Sequence, residues 1–274
     1  MRRVKSLLCL VFAVLCCVCL VACGGGEEPD NRPTFVVGME CDYPPFNWTE
    51  MTKTDTNYPI DGTSLYAEGY DVQVAKMIAD ELDMKLVIKA IEWDGLISAL
   101  ESGKIDAIIA GMSDTPDRRL NVDFTVSYYK STHVLVMEKD SPYVNGKTLN
   151  DFAGAKVVGQ LETLYDSLID QLEGVEHMTP LDDVPTIITN IISKRADITI
   201  LEEPVAKGVI QSNPSLTYIV LEESFDVLEE DECVSIAIRK GDNELQAKIN
   251  SILNSITNEK RTELMDQAII NNSK

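Results

Sequence analysis

Positive charge is scarce in this chain of 274 residues: 24 Lys and Arg stand against 45 Asp and Glu, a formal net charge of −21 at pH 7. A surface this acidic repels phosphate backbones and anionic lipid headgroups, which argues against nucleic-acid binding and against flat adsorption to a membrane. Histidine is scarcer still. His133 and His177 lie far apart on predicted strands, and no Cys or His cluster with metal-ligand spacing accompanies them. Gly-x-Ser-x-Gly, His-Glu-x-x-His and Gly-x-x-x-x-Gly-Lys-Ser runs are missing, and with them the usual signatures of a serine hydrolase, a zinc peptidase and a phosphate-cradling loop. No cofactor is implied. Beyond residue 22, no apolar run approaches the roughly 20 residues that a spanning helix needs.

The first residues are of another kind. Arg2, Arg3 and Lys5 precede an apolar run from Leu7 to Ala22, the pattern of a secretory signal over residues 1–22. Leu20-Val21-Ala22-Cys23 resembles the bacterial lipobox, which implies cleavage before Cys23, lipidation of its thiol and anchoring to the cell membrane on the extracytoplasmic side. Residues 23–33, opening with three glycines after the Cys, read as a flexible tether. Cys9, Cys16, Cys17 and Cys19 fall within the signal, so only Cys41 and Cys233 are left to pair and no disulfide framework follows.

From Thr34 onward, short β-branched runs alternate with longer amphipathic stretches, the pattern of an α/β fold with largely parallel strands. Strands are expected over 34–38, 86–90 and 105–110, with helices over 71–82 and 93–101 between them. The rhythm then repeats: strand 156–159, helix 163–173, strand near Val175, helix 183–194, strand 197–201, helix 204–211. Two lobes follow, residues 34–131 plus 236–274 and residues 132–235, with His133 to Glu138 and Cys233 to Arg239 as the extended segments that cross between them. Two helical stretches, about 244–257 and 258–270, end the chain. The polar, Thr-rich residues 47–68 break the rhythm and read either as an excursion near the cleft mouth or, the favoured reading, as a surface loop without function.

Gly69-Tyr70-Asp71-Val72-Gln73-Val74-Ala75-Lys76, Trp93-Asp94-Gly95-Leu96-Ile97, the run from Ser102 to Ser113, and Val122-Asp123-Phe124 with Tyr128-Tyr129 closely resemble family 3 extracellular solute-binding proteins. These are the amino-acid receptors of ATP-driven importers. The resemblance implies a type II periplasmic-binding-protein-like fold, in which two α/β lobes joined by two hinge strands close on one free amino acid. It also implies a monomer that delivers its ligand to a membrane permease.

A zwitterion requires a cation for its carboxylate, an acceptor for its ammonium and a pocket for its side chain. In the resemblance Arg118 falls on the carboxylate-binding arginine, whose guanidinium offers a fixed fork of donors. Its neighbour Arg119 shows that a charge here needs no special role. Gly111 and Ser113, at the end of a strand, offer an amide and a hydroxyl to the same carboxylate. Thr163 matches a threonine at a helix start, although Leu161 and Glu162 precede it where the family has small residues or Gly. Glu202 stands where the family grips the ammonium with Asp. Tyr43 and Tyr70 match the aromatics that flank the ligand side chain. Glu40 falls where glutamine-type and basic-amino-acid receptors read its far end, so a polar or basic amino acid is the expected ligand. Two other readings use the same scaffold: a cyclohexadienyl-dehydratase-like enzyme, for which Glu40 or Glu202 would supply the acid, and a ligand-binding sensor or adhesin module.

Overall fold

The computed structural model describes residues 30–223, 225–228 and 232–272. The expected signal peptide, Cys23 and most of the tether lie outside the described residues. Strand β1 (Thr34–Met39) buries Phe35, Val37 and Met39 on one face. Strands β2 (Asp42–Tyr43), β3 (Asn47–Glu50), β4 (Tyr58–Pro59) and β5 (Tyr66–Glu68) form a small antiparallel sheet in the order β2-β3-β5-β4. Residues 47–68 are therefore a structured element and not the surface loop expected from their polarity. The Thr residues that mimic a loop are used internally, since the hydroxyls of Thr54 and Thr56 donate to Glu68 at 3.0 and 2.6 Å. Ile60 then bridges to Ile88 and fastens this sheet to the main one.

The first main sheet continues through helix α1 (Tyr70–Glu81), β6 (Lys85–Ala90), a 3-10 turn (Trp93–Gly95), α2 (Leu96–Glu101), β7 (Ala107–Ile108) and β8 (Val122–Lys130). The next strand, β9 (His133–Glu138), opens the second sheet, followed by β10 (Lys156–Val157), α3 (Leu164–Leu168), β11 (Glu176–His177), α4 (Val184–Ile192), β12 (Ile198–Glu202), α5 (Glu203–Ser212) and β13 (Leu216–Ile219). Strand β14 (Cys233–Arg239) returns to the first sheet, and α6 (Asn243–Ser255) and α7 (Asn258–Asn271) finish the chain. The two sheets have matching strand orders, β6-β1-β7-β14-β8 and β11-β10-β12-β9-β13. In each, three parallel strands joined by crossovers are followed by an antiparallel strand and an edge strand.

The two strands expected to cross the lobe boundary each lie inside one sheet: β9 pairs with β12 and β13, and β14 with β7 and β8. The first crossing is the link at Ser131 and Thr132, and the chain is back in the first sheet from Cys233. Cys233 to Ser235, assigned to the second lobe on sequence, pair with Lys130, Tyr129 and Ser127 of β8 in the first. The expected strand 105–110 narrows to Ala107–Ile108, and the expected helix 163–173 shortens to α3 plus a 3-10 turn, Ile169–Gln171, because Leu172 adopts an extended conformation. Helix α7 packs against both α1 and α5 and so touches both lobes. Among the described residues no helix is long and apolar enough to cross a membrane.

Helix α1 starts without a side-chain cap, at Gly69 with φ 129°. The amides of Tyr70 and Asp71 donate instead to the carbonyls of Pro45 and Phe46 at 3.0 and 2.8 Å, which brings the backbone of the 45–47 turn against the helix start. A Cβ on Gly69 would lie 2.3 Å from the Phe46 carbonyl oxygen, and the φ value is strained for any other residue. Gly69→Ala is expected to cost about 3 kcal/mol, a fall in Tm of roughly 6–12 °C in a body of this size. A fall of under about 3 °C in calorimetry would show that the 45–47 turn yields and does not fix the helix.

Candidate functional site

Parallel α/β sheets gather ligands outside the carboxyl ends of their strands, where loops carry side chains free of ladder duties. Here those ends supply one cleft. Glu40 follows β1, Trp93 follows β6, Gly111 and Ser113 follow β7, Gln160 and Thr163 follow β10, and Glu202 ends β12. A narrow cavity is lined by Glu40, Tyr43, Trp93, Gly111, Ser113 and Arg118 from the first lobe. Gln160, Thr163, Leu164 and Tyr165 line it from the second.

Arg118 opens a 3-10 turn (Arg118–Leu120), donating from Nη1 to the Ser113 carbonyl at 2.8 Å and from Nη2 to the Glu162 carbonyl of the other lobe at 3.1 Å. Its neighbour Arg119 turns away to a two-pronged pair with Asp114, 2.5 and 2.8 Å, so the two arginines that looked alike in sequence have different neighbours. Thr163 caps α3, and its hydroxyl donates to the Gln160 carbonyl at 2.7 Å. Glu162 before it has φ +59°, a left-handed conformation costing about 1–2 kcal/mol for a residue with a Cβ. The chain therefore keeps the geometry that a glycine would take there.

Acidic residues gather around Glu40. Glu40 accepts from Gln160 Nε2 at 2.8 Å, and the same amide reaches the Asp182 carbonyl at 3.0 Å. Burial, then the nearby Asp42 carboxylate, pushes the Glu40 carboxyl up to about 9. Asp42 is itself raised to about 6, by burial first and then by Asp183 and Glu92. Beside this cluster, a second pocket is lined by Glu92, Trp93, Asp94, Leu161 and Asp182. The cleft thus brings a guanidinium and a buried carboxyl to the same cavity.

Six of the eight residues expected at a ligand, Glu40, Tyr43, Gly111, Ser113, Arg118 and Thr163, line the cavity. Two do not. Tyr70, 1% exposed, belongs to the core: it stacks on Tyr128 with ring centres 5.8 Å apart and donates to the Tyr128 carbonyl at 2.8 Å. Glu202, 2% exposed, lies behind Tyr43, whose hydroxyl donates to it. Burial raises the Glu202 pKa, opposed by hydrogen bonds from Tyr165 and Tyr43 and by Arg118. The Gly111 amide, expected to face the ligand, donates at 3.0 Å to the Tyr128 hydroxyl, which itself donates to buried Asp71 at 2.6 Å. Sequence reasoning missed Gln160, Leu164 and Tyr165 as lining residues and gave Trp93 no role. Only Trp93 carried a signal, a large aromatic at the start of a turn directly after a strand. Cys41 and Cys233 are not joined to each other.

Fold and cleft together define a two-lobed α/β receptor for a small charged solute. Residues 35–269 match the bacterial extracellular solute-binding proteins, family 3, and the chain belongs to that family. It is 30% identical over 254 residues to the "Arginine-binding extracellular protein ArtP" of Bacillus subtilis (strain 168), covering 91% of each chain. It is 29% identical to a "Probable histidine-binding protein" of Campylobacter jejuni over 72% of this chain and 73% of that one. Among solved structures, an amino acid ABC transporter substrate-binding protein, AbpA, from Streptococcus pneumoniae, bound to L-arginine, superposes with a TM-score of 0.75. Its identity to this chain is 26%, covering 88% of this chain and 96% of that one.

Glu40, Asp42 and Asp71 all have carboxyl pKa values raised on folding, Asp71 to about 7 through burial. A carboxyl raised in the folded state stabilises it fully below the unfolded pKa, and that stability is lost as pH climbs through the folded value. The ligand-free protein is therefore expected to lose Tm steadily between pH 5 and pH 9, with a shallower slope in Glu40→Gln. A Tm that rises over this interval in differential scanning fluorimetry would contradict the protonated state of the cluster.

Proposed function

We propose that the protein is the extracytoplasmic receptor of an amino-acid ABC importer, closing its lobes on one polar or basic amino acid and passing it to the cognate permease. The observation that carries this reading is that one cavity is lined by both the Arg118 guanidinium and the Glu40 carboxyl, with Asp42 and Asp183 near Glu40. A bidentate arginine matches the α-carboxylate. Ser113 and Thr163 add hydroxyls from the two lobes, and Tyr43 with Glu202 behind it receives the ammonium. An ammonium or guanidinium on the ligand side chain pairs with Glu40, whose carboxyl is held well above its usual range by burial and then by Asp42. The arginine- and histidine-binding names of its relatives agree with a cationic preference. The lobes are residues 34–130 with the returning chain from 233, and 133–228. Cys23, if lipidated, tethers the receptor to the membrane. The chain acts as a monomer and as a binder, without turnover.

A buried carboxyl held protonated, Glu40, would also suit the acid of a dehydratase. The two readings separate in one assay, because a receptor returns its amino acid unchanged after prolonged incubation.

In titration calorimetry of the chain without residues 1–23, one basic or polar amino acid is expected to bind. Arg118→Ala is expected to weaken every ligand by about 100-fold or more, since it leaves a carboxylate unpaired in a desolvated site. Glu40→Gln is expected to weaken cationic ligands by about tenfold while leaving glutamine within about twofold. Equal losses for glutamine and arginine in Glu40→Gln would remove the division of roles between Arg118 and Glu40.

A further inference from the structure

We infer that Trp93 is a positioning and closure residue of this cleft: its ring orients the Arg118 guanidinium, and its indole N–H joins Arg118 in fastening the second lobe through the Glu162 carbonyl. The inference rests on the receptor reading above and deepens it. Arg118 lies over the Trp93 ring, with its guanidinium carbon 5.1 Å from the ring centre. A guanidinium held against an aromatic face is attracted by the ring quadrupole while its N–H groups point outward in the plane, toward a planar acceptor. Trp93 also fixes where that plane lies, because it sits in the short 3-10 turn that follows β6 and not on a free loop.

The second part is the grip across the cleft. Trp93 Nε1 donates to the Glu162 carbonyl at 3.4 Å, and Arg118 Nη2 donates to the same oxygen at 3.1 Å. Two donors of one lobe thus converge on a single backbone acceptor of the other. Glu162 is the residue with φ +59°, and a left-handed conformation away from glycine persists only where its surroundings over-determine it. Trp93 borders both the inner cavity and the outer acidic pocket, and so forms the wall between them. A side chain in that place controls the orientation of the carboxylate clamp and the opening of the cleft at once.

The test follows L-arginine, L-lysine, L-histidine and L-glutamine binding by calorimetry and stopped-flow dissociation. The proteins are the wild type, Trp93→Phe, Trp93→Leu, Arg118→Lys and the double variant Trp93→Leu with Arg118→Lys. For an amino acid that binds the wild type, Trp93→Leu is expected to weaken affinity about tenfold, nearly all of it as faster dissociation. Trp93→Phe, which keeps a ring but no N–H, is expected to lose about two- to fivefold. In the Arg118→Lys background, which lacks the planar fork, Trp93→Leu is expected to cost less than about threefold. Affinity within about twofold of wild type in Trp93→Leu, or the same loss in both backgrounds, overturns the inference. If the wild type binds none of the four, the receptor reading fails on its own. The inference is then decided by thermal unfolding of the same ligand-free proteins: Tm shifts of the two single changes that fail to add support it, and additive shifts overturn it.

Discussion

The cleft depends on one backbone constraint, that the two chain crossings run side by side and are hydrogen-bonded to each other. The Ser131 amide donates to the Glu232 carbonyl at 3.0 Å, Lys130 pairs in register with Cys233, and the Lys130 ammonium lies 3.2 Å from Glu232. A further bond, from the Glu203 amide to the Thr132 carbonyl at 2.9 Å, ties the start of α5 to the first crossing. A pairing at Ser131 and Glu232 allows small rotations about that point, the requirement for hinge closure. The crossings also place the carboxyl ends of both sets of parallel strands opposite each other.

The second governing feature is electrostatic. The chain carries a large excess of acid, yet burial raises the Glu40 carboxyl to about 9 and Asp42 to about 6. A neutral carboxyl costs little to bury and becomes a strong partner only when a cation arrives. Arg118 is placed between the Ser113 and Glu162 carbonyls, which orient its guanidinium. The same polarity that fits a zwitterion with a cationic tail makes the ligand-free cleft sensitive to pH.

Much of this was legible from the chain. Strands β1 and β6, helix α1 and the 93–101 segment follow directly from their apolar periods, and the repeated rhythm announced two α/β units. Arg118, Ser113, Thr163 and Glu40 were found through motif spacing and do line the cavity. Short elements were overdrawn, as with 105–110 and 163–173, because an apolar run marks burial and does not tell a ladder from a buried turn. The structured 47–68 segment was missed because its Thr and Asn residues satisfy one another locally, and such residues read as loop. The stacking of Tyr70 on Tyr128 was not legible, because an aromatic after a glycine looks the same whether it faces a ligand or packs in the core.

Composition, periodicity and motif order by themselves determined the α/β class, the two-unit organisation and the residue types available for capture, since these depend on local spacing along the chain. Tertiary structure alone decided that Arg118 and not Arg119 faces the second lobe, that Glu202 sits behind Tyr43, and that Gln160 reaches Glu40 across 120 positions of sequence. Those outcomes depend on which loops of two separate sheets come within hydrogen-bond reach, a distance that no local pattern encodes.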